Sequence, residues 1–144
     1  MKKFTFPLSR VMDFRRTQAR LEEIKLEGLY AESRAIETRE AALIQQRVQS
    51  EKALKEATSV TGFDLELFSN YGSAMKEEQK RLYKAKTECK KKIGAQVAIL
   101  MVKRREVKLL EKLKEQKLET WEKEMFKEID QQAEEAYLAK WNAR

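Results

Sequence analysis

The chain has 144 residues, of which 38% are charged, and it contains only 4 Gly and 1 Pro, the residues that most often mark turns. A sequence this poor in turn-forming residues predicts few, long elements, and its wealth of Ala, Glu, Lys, Leu, Arg and Gln is typical of extended helices rather than of a sheet protein. Because the chain has no His, it lacks the commonest general base and metal ligand, so we expect neither enzymatic activity nor a cofactor.

The formal net charge of +7 is concentrated in one segment. Residues 73–117 carry 15 basic and 6 acidic side chains, whereas residues 118–144 carry 4 basic and 7 acidic ones. The basic segment fits a nucleic-acid partner, a solvated helix face or an acidic protein partner. We rank the acidic partner first, because acidic residues interrupt the run and only Tyr83 is placed to stack on bases.

The remaining composition indicates a soluble, cytoplasmic protein. No segment approaches the ~20 consecutive apolar residues that cross a bilayer, and the positive start lacks the apolar stretch of a signal peptide. The single Cys89 lies in a basic helical run and is interpreted as a reduced thiol.

Helix one is predicted over about residues 8–57, where Pro is absent and apolar or small residues recur at heptad spacing. Pro7 suits a first helical turn, because its missing N–H would have no partner there. The predicted seam comprises Phe14, Leu21, Gly28, Ala35 and Ala42, with Ile24 and Ala31 at the intermediate positions and Leu29, Ile36 and Leu43 beside it.

A chain reversal is predicted at about residues 58–72, which begin with β-branched and turn-forming residues and continue as an aromatic-rich stretch capped by Asp64. Helix two is then predicted over about residues 73–142, continuous through Gly94, whose cost of ~1 kcal/mol a long packed helix tolerates. Its predicted seam comprises Met75, Leu82, Ile93, Val97, Leu100, Val107, Leu110, Leu118, Trp121, Met125, Ala136 and Ala139.

These elements predict an all-α fold over residues 1–144, in which two long helices form a single antiparallel coiled-coil hairpin with helix two the longer. A reversal near residue 65 would place Ile24 near Val107 and Ala35 near Ala95. Residues beyond about 123 would then overhang at the C-terminus as a single helix and offer a docking surface. Its apolar side chains would be Met125, Phe126, Ile129, Tyr137 and Trp141.

Three segments of the chain share a pattern with a known family. Residues 4–15 read Phe-Thr-Phe-Pro-Leu-Ser-Arg-Val-Met-Asp-Phe-Arg, residues 107–115 read Val-Lys-Leu-Leu-Glu-Lys-Leu-Lys-Glu, and residues 128–133 read Glu-Ile-Asp-Gln-Gln-Ala. In this order and spacing, and with the aromatic stretch at 67–71, they resemble the flagellar export protein family FliJ. The chain departs from the family's ending at Gln131, where an acidic residue is usual.

The resemblance implies a stalk component of the flagellar type III export apparatus, an antiparallel coiled coil similar to the central stalk of rotary ATPases. It would be cytoplasmic and peripherally associated with the inner membrane at the flagellar base. Its implied partners are the hexameric export ATPase, whose assembly and activity it would promote, the cytoplasmic region of the export-gate membrane protein, and export chaperones. Neither nucleic acid nor a cofactor is implied.

Positions are carried over from the family as hypotheses. The ATPase-binding residues would be Leu8, Val11, Met12, Arg15, Leu118, Trp121 and Met125, and the export-gate-binding residues would be Tyr71, Met75 and Leu82. Three alternatives stay open: the equivalent stalk of a virulence type III secretion system, a basic nucleic-acid-associated coiled coil, and a homodimeric structural rod. The Phe-x-Phe-Pro-Leu opening favours the flagellar protein.

Overall fold

In a computed structural model, which describes residues 2–144, the chain forms two α-helices. Helix α1 comprises Ser9–Glu56 and helix α2 comprises Gly62–Asn142. The predicted fold class is confirmed, because the described residues form two helices and no strand, the second helix is the longer, and the helices pack antiparallel. Neither helix contains a stretch long and apolar enough to cross a membrane.

The start of α1 follows from the residues that precede it. The amide of Ser9 donates to the carbonyl oxygen of Phe6 at 3.1 Å, and the amide of Met12 donates to that of Leu8 at 2.9 Å. Pro7 lies in this first turn, where it has no amide to leave unpaired. At the other end Lys55 lies in the last turn, where its positive charge complements the helix dipole.

The reversal between the helices spans only residues 57–61, so the prediction that it continues to residue 72 was wrong. The reason is a reciprocal pair of hydrogen bonds between Thr61 and Asp64, the arrangement known as a capping box. The amide of Thr61 donates to the Asp64 carboxylate and the amide of Asp64 donates to the Thr61 hydroxyl oxygen, both at 3.1 Å. The hydrogen bond from the Thr61 amide, followed by the Thr61 side chain, also lowers the pKa of the Asp64 carboxyl. Because the capping box satisfies the first free amides of the helix, α2 begins at Gly62.

Contacts between residues group the chain into two units. Unit 1 comprises Met1–Leu21 with Leu100–Arg144, and unit 2 comprises Glu22–Ile99. Unit 2 contains the turn and is itself a helical hairpin. In unit 1, the beginning of the chain contacts α2 through Phe4, which packs against Trp121, and through Arg15 of α1, which bonds Glu106.

The seam of α2 follows the predicted heptad spacing and includes two residues that the prediction left out. In unit 2 the buried side chains are spaced seven residues apart: Met75, Leu82, Cys89 and Gln96. Helix α2 runs without a break through Gly94, as predicted. In unit 1 Leu100 is buried and Leu118, Trp121 and Met125 are half-buried, whereas the predicted seam residues Ala136 and Ala139 are exposed.

The seam of α1 is displaced by one position along the sequence from the predicted seam. Phe14, Leu21, Ile24, Gly28, Ala31, Ala35 and Ala42 are exposed. The half-buried row that faces α2 in unit 2 instead comprises Glu22, Leu29, Ile36 and Leu43. Because adjacent residues of a helix point about 100° apart, an error of one position moves the predicted seam off the interface.

The predicted register was also wrong, by more than two helical turns. Gln96 bonds Glu22, and the Cys89 sulfur lies 3.5 Å from the Leu29 carbonyl oxygen, whereas the prediction put Ala95 beside Ala35. The shift follows directly from the earlier and shorter turn. Moving the centre of the reversal towards the N-terminus changes the partner of every facing residue in the hairpin.

Candidate interaction surfaces

The predicted ATPase-binding residues all lie in unit 1, but not all of them are accessible. Met12 is 2% exposed, so its side chain belongs to the interior of the helix pair. Leu8 and Val11 are 37% and 43% exposed and present apolar groups to solvent. Leu118, Trp121 and Met125 are half-buried along α2. We call these six residues, together with Arg15, the termini surface.

Arg15 links the two helices of unit 1 rather than standing free. Its guanidinium donates to the carboxylate of Glu106 at 3.1 Å and to the side-chain oxygen of Gln18 at 3.2 Å. Lys103 approaches the same carboxylate at 3.8 Å. Reversing the charge of Arg15 would therefore place a carboxylate beside Glu106 and weaken the helix pair itself. The exposed Leu8 and Val11 are better positions for a binding test.

The aromatic residues at the start of the chain fix the end of the helix pair. The centroids of the Phe4 and Trp121 rings lie 6.0 Å apart, and the ring planes are inclined at 55°. Aromatic pairs prefer such tilted arrangements to face-to-face stacking. Phe6 is buried beside the first turn of α1. Because Trp121 already has an aromatic neighbour, replacing it would disturb the local packing as well as any partner contact.

Beyond Met125 every side chain of α2 is exposed. This segment, residues 126–142, is called the α2 overhang. Its large apolar side chains are Phe126, Ile129, Tyr137, Leu138 and Trp141, each at least 45% exposed. Four of them were predicted from the sequence, and Leu138 was not. Exposed apolar surface of this extent on a single helix makes the α2 overhang a candidate docking surface.

Unit 2 holds a groove between the two helices near the turn. It has a volume of about 810 Å³ and lies between residues 40–51 of α1 and residues 68–84 of α2. Its apolar lining comprises Leu43, Ile44, Phe68, Tyr71, Met75 and Tyr83, and Gly72 adds no side chain to fill it. We call this the turn groove.

The three predicted gate-binding residues differ in their access to the turn groove. Tyr71 lines it and is 43% exposed, and Met75 lines it from a buried position. Leu82 is 4% exposed in the seam and lies outside the groove, so it supports the helix pair instead. Leu43, Ile44 and Tyr83 were not predicted as site residues, because their placement depends on the register between the helices.

Charged groups tie the two helices together beside the turn groove. The Glu78 carboxylate accepts hydrogen bonds from Arg81 at 2.6 and 2.9 Å and from Arg39 of α1 at 3.3 Å. The hydrogen bond from Arg81 is the main cause of a lowered pKa of Glu78. Lys86 pairs with Glu40 at 3.3 Å. These pairs orient acidic side chains of unit 2 towards the helix interface.

Residues 2–144 contain no group of three or more Cys, Asp or Glu side chains arranged to hold a metal ion. Cys89 is buried and forms no disulfide. No protein-family model matches the sequence, and neither a curated protein nor a solved structure is significantly similar to it.

Proposed function

We propose that the chain is the stalk of a flagellar type III export apparatus, which binds the hexameric export ATPase through unit 1 and promotes its assembly and activity. It acts without catalysis of its own. In the same proposal the turn groove of unit 2 binds the cytoplasmic region of the export-gate membrane protein, and the protein also handles export chaperones. The starting point is the sequence resemblance to the FliJ family in residues 4–15, 107–115 and 128–133.

The observation that carries the proposal is the exposed apolar face of the α2 overhang. Phe126, Ile129 and Trp141 remain in water although the helix that bears them is continuous and well formed. A hollow ring with an apolar lining would cover a single helix on all sides, which a flat partner surface would not. Leu8 and Val11 supply further apolar surface at the start of α1 in the same unit.

The long helices suit a part that transmits position rather than binds a small molecule. Helix α2 has 81 residues and spans about 120 Å at the rise of an α-helix. The pairs Arg15–Glu106 in unit 1 and Lys86–Glu40 in unit 2 hold the helices side by side within each unit. A protein built in this way can engage different partners through separate surfaces.

Two variants test the proposal, one in the termini surface and one in the turn groove, and each serves as the control for the other. In the first, Leu8→Ser and Val11→Ser remove exposed apolar groups of the termini surface while sparing the buried Met12. In the second, Tyr71→Ala removes an exposed ring from the turn groove. Stimulation of the export ATPase and capture of the gate's cytoplasmic domain are measured for both, with helicity followed by circular dichroism.

We expect the first variant to require at least about tenfold more protein for half-maximal stimulation, since losing two apolar anchors costs on the order of 2 kcal/mol. Its capture of the gate domain should stay normal. Tyr71→Ala should instead weaken capture of the gate domain and leave stimulation of the ATPase normal. A wild-type chain that fails to stimulate the ATPase would remove the proposal, and equal losses by both variants would remove the division of labour between the surfaces.

A further inference from the structure

The charge of unit 2 is unevenly distributed between its two helices. The α1 part, Glu22–Glu56, carries eight acidic and six basic side chains, whereas residues 76–92 of α2 carry three acidic and eight basic ones. The positive charge of this unit therefore belongs to a short stretch of α2, about 25 Å long.

Five of these basic side chains share one side of α2. Lys76, Lys80, Lys84, Lys90 and Lys91 fall within an arc of about 120° of the helix circumference, and all five are exposed. We call them the lysine face. The acidic residues of the stretch fall outside the arc: Glu77 lies at its edge, 3.6 Å from Lys80, and Glu78 is bonded to Arg81 and Arg39.

The charges of the lysine face are largely available to a partner. Lys76, Lys84, Lys90 and Lys91 form no ion pair with any described residue, while Arg81 and Lys86 of the same stretch are used in pairs with Glu78 and Glu40. Tyr83 is 69% exposed and lies on the same side of the helix. Lysine stems and a tyrosine ring are the side chains that suit the boundary between water and lipid.

We propose that the lysine face binds the surface of an anionic lipid bilayer, with the helix lying parallel to the membrane. This inference does not depend on the proposed function, and it adds a direct membrane contact to a protein otherwise expected to reach the membrane through protein partners.

The shape of the surface favours a bilayer over a folded acidic protein. The recess of unit 2 is the turn groove, whose lining ends at Lys84. Lys90 and Lys91 lie beyond that lining on an exposed helix side. Lys76, Lys80 and Lys84 belong to that lining, so the lysine face borders the groove and continues past it to Lys90 and Lys91. A row of exposed point charges that extends beyond the recess matches a plane of mobile headgroups, which does not require fixed hydrogen-bond geometry.

Nucleic acid would also neutralise lysines, but the lysine face lacks the features that recognise it. The face contains no arginine, and Tyr83 is its single aromatic residue. Stacking on several aromatic side chains is what commonly holds single strands, and bidentate arginine contacts are common in the reading of duplex bases. Duplex DNA therefore serves as a competing probe in the test.

The test compares two charge-reversal variants of the full chain. Lys90→Glu with Lys91→Glu changes the lysine face without touching the turn groove. The matched control, Arg34→Glu with Lys52→Glu, changes two exposed basic residues of α1 in the same unit and gives the same net charge. Binding is measured by co-sedimentation with phosphatidylcholine vesicles with and without about 30% phosphatidylglycerol, and with duplex DNA.

We expect the wild-type chain and the control to bind the anionic vesicles and not the neutral ones, with binding lost at about 0.5 M salt. The Lys90 and Lys91 variant should bind at least about 25-fold more weakly, since each lysine near a charged surface contributes a factor of about five. Equal losses in both variants would show an effect of net charge alone and overturn the proposal. Absence of vesicle binding by the wild type would overturn it too, whether or not DNA is bound.

Discussion

In unit 2 the buried side chains of α2 follow one another at seven-residue intervals from Met75 to Gln96, whereas in unit 1 burial on α2 declines from Leu100 through Trp121 and ends at Met125. The two units therefore use the same helix differently. Unit 2 closes its seam and leaves a defined groove near the turn. Unit 1 buries its seam less completely and leaves the α2 overhang exposed.

The largest expected effect is a difference in the free energy of unfolding between alanine variants of a seam leucine and of an overhang leucine. Leu82 is 4% exposed and Leu138 is 57% exposed, and both lie on α2. Leu82→Ala should lower the free energy of unfolding by about 2–4 kcal/mol, because it removes buried methyl groups and leaves a cavity. Leu138→Ala should change it by less than about 0.5 kcal/mol. Urea titration followed by circular dichroism measures both.

The two leucines form a matched control, since the substitution and the helix propensity are the same in each case. Similar losses of stability would mean that the α2 overhang is packed in the isolated protein, and the contrast between the units would then fail. If Leu138→Ala lowers the free energy of unfolding only when the export ATPase is present, the result would instead support the ATPase as the partner.

The heptad pattern of α2 could be predicted because its seam combines large apolar residues with regular spacing. The prediction missed two seam residues, Cys89 and Gln96. Cys89 was interpreted as part of a basic run, and Gln96 is polar. On α1 two rows compete. Phe14, Leu21 and Gly28 look like an interface, whereas the row that faces α2 begins with the charged Arg15 and Glu22. Burial of charged stems at a helix interface cannot be read from hydrophobicity alone.

The turn and the register depended on a local detail. The turn-forming residues at 58–62 and the aromatic-rich stretch after them suggested a reversal that continues to residue 72, but the Thr61–Asp64 capping box had already started α2. The error of about ten residues at the turn then changed which residues face each other in the hairpin. For the same reason the sequence indicated Tyr71 and Met75 as site residues but not Leu43 and Ile44, which α1 brings to the turn groove.

An intermediate effect is expected at Gln96, the polar member of the unit 2 seam. Its side-chain amide donates to the Glu22 carbonyl oxygen at 3.0 Å and to the Glu22 carboxylate at 2.5 Å. Gln96→Ala should lower the free energy of unfolding by about 1–2 kcal/mol, because these bonds are lost in a partly buried site. Gln96→Leu should stabilise the pair while relaxing its register, as a polar seam residue specifies register at a cost in stability.

The register is measured by cross-linking to the single natural cysteine. Because Cys89 faces Leu29, a Leu29→Cys variant should form a disulfide readily, whereas Gly28→Cys on the exposed side should not. Adding Gln96→Leu should reduce this preference. If the preference is unchanged, Gln96 contributes to stability alone and the register is set by the apolar seam residues.

The smallest effect concerns pH and distinguishes a carboxylate that joins two helices from one that stays within α2. Glu78 of unit 2 is bonded by Arg81 and by Arg39 of α1, and Glu119 of unit 1 is bonded by Lys123 of the same helix at 2.8 Å. The pKa of each carboxyl is lowered, by its Arg81 bond and its Lys123 bond respectively. A lowered folded-state pKa stabilises the protein above the unfolded pKa, and this contribution disappears as the pH falls through the folded value.

Glu78→Gln should therefore reduce the free energy of unfolding at pH 7, and the difference from wild type should shrink below the ordinary pKa of 4.5. Glu119 is exposed and Glu78 is only half-buried, so the effect should be small and should weaken further at high salt. Glu119→Gln should change the unfolding transition even less, because its pair does not cross between helices. Urea titrations at pH 7 and at about pH 3 measure both variants. A difference for Glu78→Gln that persists unchanged in acid would show that its carboxylate charge does not hold α1 against α2, leaving the apolar seam as the source of that contact.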